Sequence, residues 1–340
     1  MTRVVSAGVA ALLALASVLM IGPPHAVAQE STADAVVRGR VTMGSSGARL
    51  EGAVEVELII LEGSEASGSV KTPVTNGAYE VRIPAAVSRT YVPRVNYLNV
   101  NYFADPIRFT GPEREFTRDI TVYATTDRPN ALRLIQTIVT VIGIDPKQGH
   151  IGLLREDVLG LAGDRVYIGG TGGVTLRLPA PTGTEEASEE DGNGTLANGV
   201  LSVTTPIRPG SAASIITSTY LVKYDPAIDR YRLRVTVPVP AESVVARVPR
   251  DYVRAVRPVV PATKGDEQVL EDEDHTVLTV VQRARVDAGQ SLLVDIDGVA
   301  GELQHHPLTE QPGASIAAAT VLAIVGAAGA LIWRRRGAAA

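Results

Sequence analysis

The chain has 340 residues, 45% of them hydrophobic, which leaves room for two domains with real cores and excludes wholesale disorder. Its formal charge is −5; Arg3, Arg334, Arg335 and Arg336 lie in terminal segments, so elsewhere 28 basic residues face 37 acidic ones, about −9, a surface unsuited to nucleic acid. There is no cysteine, which excludes a disulfide scaffold, thiolate metal sites, thiol nucleophiles and covalent c-type haem attachment together.

Residues 1–28 have the three parts of a secretory signal: Arg3, an apolar run over 4–21, and Ala26-Val27-Ala28 as a small-x-small cleavage site. The mature chain is expected to start at Gln29, and no cysteine follows that would accept a lipid. With Trp, Phe and Met scarce, Val, Ile, Leu, Thr and Tyr must do the packing, and the β-branched share of that set favours strands. Between residues 35 and 126 apolar and polar residues alternate with period two, giving candidate strands at 36–43, 54–61, 78–83, 91–97, 107–110 and 117–123. The turn signals between them are Gly44-Ser45-Ser46-Gly47, residues 63–68, Asn76-Gly77 and Gly111-Pro112. About seven strands in about ninety residues make a small β-sandwich.

Three runs in this stretch, Val37-Arg38-Gly39-Arg40-Val41, Leu50-Glu51-Gly52-Ala53-Val54-Glu55-Val56 and Thr75-Asn76-Gly77-Ala78-Tyr79, resemble the pattern of carboxypeptidase regulatory-like domains. In that family the first glycine sits inside an opening strand, the second run starts the next strand, and the third closes a hairpin. The resemblance implies a transthyretin-like sandwich and an accessory, non-catalytic role. Residues 91–107, with Asn96-Tyr97, Asn101-Tyr102 and Asp105-Pro106-Ile107, are similar to a membrane-anchored bacterial subset in which a second β module and a C-terminal span follow. Tyr91, Tyr97 and Tyr102 are expected on an acidic surface, where they would bind a peptide or a partner domain.

A polar joint at 124–130, with Asp127-Arg128-Pro129, marks a domain boundary. Beyond it, longer alternating segments lie at 132–144, 150–161, 165–168, 174–178, 199–206, 213–224, 230–239, 244–248, 275–285 and 291–296. They read as a second, larger antiparallel sandwich over 127–299 with long loops at 180–198 and 258–274. Residues 300–313 are a stalk of up to about 45 Å if fully extended.

Twenty uncharged residues, 314–333, come next, and a helix of that length spans roughly 30 Å, the thickness of a bilayer core. Arg334, Arg335 and Arg336 place the short tail, 334–340, in the cytoplasm, and the leader independently places the N-terminus outside. No sortase pentapeptide precedes the span, so it is expected to remain as an anchor. Ser315, Ala319, Ala323 and Ala327 recur every four residues; such a stripe lets helices approach closely, which admits a homodimer through the span, although an Ala-rich run makes such stripes by chance.

Candidate chemistry is thin. Gly169-Gly170-Thr171-Gly172-Gly173 has no following Lys-Ser or Lys-Thr and precedes a strand, so it reads as a hairpin turn. Asp191-Gly192-Asn193-Gly194-Thr195 fails as a calcium loop because Leu196 and Ser202 stand where Gly and Glu are required, which leaves at most an irregular site of Glu189, Glu190, Asp191 and Asn193. Residues 185–191, residues 266–274 and Asp295-x-Asp297-Gly298 read as solvated acidic stretches. His25 leaves with the leader, and His305-His306 lies in a stalk without preorganised geometry for copper or zinc. The motifs of serine hydrolases, zincins and β-lactamases are absent.

The expectation is therefore an all-β chain of two β-sandwich domains, the first transthyretin-like, plus one C-terminal transmembrane helix. Its expected role is a non-enzymatic, single-pass cell-surface protein presenting β modules for protein or ligand binding. No catalytic, cofactor-binding or metal-ligating residues are assigned and no cofactor is expected; the partners are the membrane and another envelope protein or a peptide, not nucleic acid. Two alternatives stay open: an accessory or metal-handling factor of a membrane redox or cytochrome-assembly system, suggested by the bacterial subset and by His305-His306, and an envelope-polymer hydrolase.

Overall fold

The computed structural model describes residues 34–129, 131–270 and 276–300. The leader, His305-His306, the rest of the stalk beyond residue 300, the hydrophobic run 314–333 and the basic tail lie outside the described residues. Among the described residues strands form all the regular structure except two single turns of 3-10 helix, Thr171–Gly173 and Arg250–Tyr252, so the chain is all-β. No helix there is long and apolar enough to cross a membrane, which says nothing of residues 301–340.

The described residues divide into two compact units, residues 34–42 with 50–121, and residues 43–49 with 122–300. The first is a β-sandwich. One sheet contains β1 (Asp34–Met43), β4 (Ala78–Pro84), β8 (Glu115–Thr117) and β9 (Ile120–Val122), in the order β4-β1-β8 with β9 also on β1. The other runs β3 (Glu65–Pro73), β2 (Glu55–Glu62), β5 (Arg89–Tyr97), β6 (Val100–Phe103), with β7 (Ile107–Arg108) also on β5. Period two makes each sheet one-sided. Ala35, Val37 and Val41 of β1 and Tyr79, Val81 and Ile83 of β4 are buried, as are Val56 and Leu58 of β2 and Tyr91, Val95 and Tyr97 of β5. Each buried aliphatic contributes about 1.5–3 kcal/mol.

That periodicity corrects two expectations. Tyr91, Tyr97 and Tyr102 are core residues rather than a binding surface; the Tyr91 hydroxyl donates to the Pro84 carbonyl at 2.7 Å, and its ring meets Phe109 edge-on at 5.9 Å. Residues 65–68, read as part of a turn, are the first half of β3, an edge strand exposed on both faces and therefore without an apolar alternation to betray it. Gly39 has a steric reason: a Cβ there would lie 2.0 Å from the Arg118 carbonyl oxygen, the same oxygen that accepts the Tyr79 hydroxyl at 2.5 Å.

The second unit opens with the loop 43–49 pinned to its own later chain. Ser45 is buried, donates to the Asp164 carbonyl and accepts the Ala124 N–H, while the Ser46 N–H donates to the Asp164 carboxylate. A short parallel pair follows, β10 (Thr125–Thr126) with β13 (Val166–Tyr167). The main sheet has eight strands: β11 (Leu132–Asp145), β12 (His150–Leu161), β15 (Thr184–Glu189), β18 (Gly210–Lys223), β20 (Ala241–Pro249), β22 (Thr263–Lys264), β23 (Gln268–Val269) and β24 (Val277–Val286). Their order is β15-β18-β12-β11-β20-β24-β22, with β23 also on β24. The expected antiparallel sheet is in fact mixed, because β20 returns beside β11 in parallel.

Two three-stranded sheets complete the unit. They are β14 (Leu176–Pro179), β17 (Val200–Val203) and β16 (Gly194–Ala197), and β19 (Arg230–Thr236), β25 (Ser291–Asp297) and β21 (Ala255–Pro258). Leu176, Leu201, Leu233 and Val294 of these sheets share one core with Val139, Leu153, Ile216 and Val244 of the main sheet. Three loop expectations change here. Residues 180–198 hold β15 and β16, where β18 is long enough to template an edge strand of acidic residues. Residues 258–270 hold the two-residue strands β22 and β23 against β24. Gly169 to Gly173 is no hairpin turn: β13 and β14 belong to different sheets, and a single 3-10 turn joins them with Gly169, Gly172 and Gly173 at positive φ.

Candidate functional site

In the first unit an open groove of about 620 Å³ runs beside β1 and β4. Arg38 and Arg40 line it with Thr72, Thr75, Glu80 and Asp119. Alternation sets this up: with Val37, Gly39 and Val41 facing the core, the arginines between them must face out. Arg38 reaches Glu115 at 3.3 Å while remaining half exposed. The Arg40 N–H donates to the Asp119 carboxylate at 2.8 Å, and its guanidinium makes no ion pair among the described residues. Burial pushes the neighbouring Tyr79 phenol up to about 12, so it stays a donor to the Arg118 carbonyl and fixes one wall. An open groove of mixed lining with two guanidinium groups on it suits an extended peptide carrying a carboxylate more than an enclosed small molecule.

The second unit holds two buried charge clusters on β12, where every residue from Ile151 through Asp157 is buried. On the inner face Arg155 and Asp157 are essentially inaccessible. The Arg155 Nε and Nη2 donate to Asp157 at 2.8 and 3.1 Å, the Thr137 hydroxyl adds a 2.6 Å bond, and Arg155 Nη1 reaches the Thr236 carbonyl at 3.3 Å. Burial works against the Arg155 charge; the Asp157 carboxylate beside it nevertheless holds its pKa above the ordinary value. The pair is thus satisfied, and it ties the main sheet to β19.

The outer face differs. Glu156 is 3% exposed, and its Oε2, the Thr140 Oγ1 and the Arg247 Nε have no hydrogen-bond partner among the described residues. Thr140 sits directly opposite Arg247, and Ile138 opposite Glu156, so these groups occupy adjacent rows of one sheet face. Burial pushes the Glu156 carboxyl from 4.5 up to about 7, with Arg247 opposing and Glu190 and Asp157 adding to the rise. Burial likewise lowers Arg247.

Two acidic stretches expected to be solvated are partly structural. Glu189 is buried, and its carboxylate accepts the Asn193 N–H at 2.9 Å and the Thr205 hydroxyl at 3.1 Å, so both oxygens of the proposed irregular calcium ligand are already engaged. Asp297 is buried between Arg230, whose Nε donates at 2.6 Å, and Arg257, whose Nε donates at 2.8 Å and whose Nη2 also contacts it. Those bonds, from Arg257 first and then Arg230, hold Asp297 below the usual carboxylate range. His150, to which the sequence attached no role, donates or accepts at 2.9 Å with Glu185, which Lys223 also meets. Among the described residues no three His, Asp or Glu side chains converge to hold a metal ion.

No family model matches the chain, and no curated protein does. Among solved structures, the full-length major pilin SpaD from Corynebacterium diphtheriae aligns over 59% of this chain at 8% identity and a TM-score of 0.22. The chain spans 60% of that pilin's length, and a likeness of this degree carries no argument.

Proposed function

We propose that the chain is a non-enzymatic, single-pass cell-surface protein whose first sandwich binds an extended segment of another envelope protein through the Arg38–Arg40 groove. The groove carries the reading, because it combines an open course along a sheet with a guanidinium group that makes no ion pair among the described residues. The surface placement rests on the leader at 1–28, the uncharged run 314–333 and the arginines behind it. The accessory role, and the transthyretin-like character of the first sandwich, rest on the three glycine-bearing runs of the first unit. Folding stability resides in the alternating core positions, which leaves the outward arginines free to be tuned for recognition.

The test uses the full chain in its own membrane with a photoreactive residue in place of Thr75, an exposed groove position. A discrete adduct is expected, weakened in Arg40→Gln and lost in Arg40→Glu, with the thermal unfolding of both variants unchanged. No adduct, or an adduct indifferent to Arg40, would overturn the groove as the binding site.

A further inference from the structure

The outer face of the β19-β25-β21 sheet is an arginine surface on an otherwise acidic chain. Arg230, Arg232, Arg234 and Arg257 lie on it, with Arg254 at its end. Against these five stand Asp295, Asp297 and Asp229. Arg232 takes Asp295 in a two-bonded fork, Arg230 and Arg257 share Asp297, and Arg254 meets Asp229 at 2.8 Å. Arg234 has no ion-pair partner among the described residues. The face therefore carries an excess of two positive charges, and its arginine side chains remain more than half exposed where they are paired.

The complementary charge is on the same unit. The edge strand β15 and the turn that follows it present Glu186, Glu190 and Asp191 outward, and none of the three has an ion-pair partner among the described residues. The two surfaces do not neutralise each other within one chain: the carboxylates that act on Arg230 and Arg232 are Asp295 and Asp297.

We propose that the arginine face docks the acidic β15 edge and following turn of a second copy, giving a head-to-tail, salt-sensitive self-association. Four of the five guanidinium groups are already held by aspartates, so those side chains lose little freedom on contact. The contact joins different surfaces of the two copies, so it extends a chain of molecules or closes a ring rather than stopping at a two-fold dimer. It is independent of the groove in the first unit.

The test is sedimentation of the full chain in nonionic detergent at about 0.02 M and about 0.5 M salt, where exposed charges are weakly and strongly screened. Concentration-dependent association is expected only at low salt. Arg234→Glu with Arg254→Glu, and separately Glu186→Lys with Glu190→Lys and Asp191→Lys, should each be unassociated alone at low salt, while an equimolar mixture of the two variants should associate again. Arg234→Glu alone keeps every ion pair of the face and should weaken association several-fold. A chain that does not associate at low salt, association that persists at high salt, or a mixture that fails to recover would overturn the proposal.

Discussion

Asp157→Ala is expected to destabilise the second unit by about 3–5 kcal/mol, the cost of breaking a buried ion pair and leaving one charge unpaired. The stranded group is Arg155, which is 1% exposed and lies between the sheets with only the distant Thr236 and Pro179 carbonyls left to bond. Thr137 loses its acceptor at the same time. Two causes predict different outcomes for the double variant Arg155→Met/Asp157→Leu. If the loss comes from an uncompensated charge, the double variant recovers most of it, since well-packed apolar residues replace buried pairs at little cost. If the loss comes from the tie to β19, it does not. Urea unfolding of the two variants separates these, and equal destabilisation would contradict the charge account.

Glu156→Gln is expected to act in the opposite direction and to depend on pH. The folded chain keeps the Glu156 proton up to about 7, whereas an unfolded carboxyl releases it near 4.5. The folded state thus binds more protons across that window, so stability falls as pH rises through it, and the full penalty is present above about 7. A rise of that size corresponds to about 3 kcal/mol. Glutamine removes the titration: the variant should match the wild type near pH 4 and exceed it by up to that amount near pH 8. Denaturant midpoints at the two pH values decide it, and a gap that does not change with pH would refute the assignment of the buried charge.

Neither buried charge is marked in the sequence. Residues 150–161 read as a strand from their alternation, but Leu154-Arg155-Glu156-Asp157 looks like a polar interruption at a wetted edge. Its burial follows from β12 lying between β18 and β11 inside the main sheet, and the order of strands distant in the chain is not written in local periodicity. The alternating strands were legible for the converse reason: β1, β4 and β19 each carry an apolar set on one face and charge on the other. Edge strands such as β3 and β15 lack that contrast, because both of their faces are wet or nearly so. The tyrosines of β5 and β6 misled through composition, since a Tyr-rich segment suits an interface as well as a core until the register assigns its face.

The groove follows the same logic in part. Arg38 and Arg40 were visible as the polar half of an alternating strand, but their convergence with Asp119, 79 residues further on, depended on β8 and β9 both pairing with β1. Only that pairing turns two outward arginines into a wall of a defined surface.

The absence of native cysteine gives the central claim, an outward-facing protein held by its tail, a direct test. Single cysteines placed at Ser64 in the exposed β2–β3 turn, at the exposed Ala227 of the second unit, and at Ala338 in the tail can each be probed on intact cells or spheroplasts with a membrane-impermeant maleimide. The first two are expected to label from outside, and the third only after permeabilisation. Labelling of the tail from outside, or protection of both β units until the membrane is opened, would contradict it.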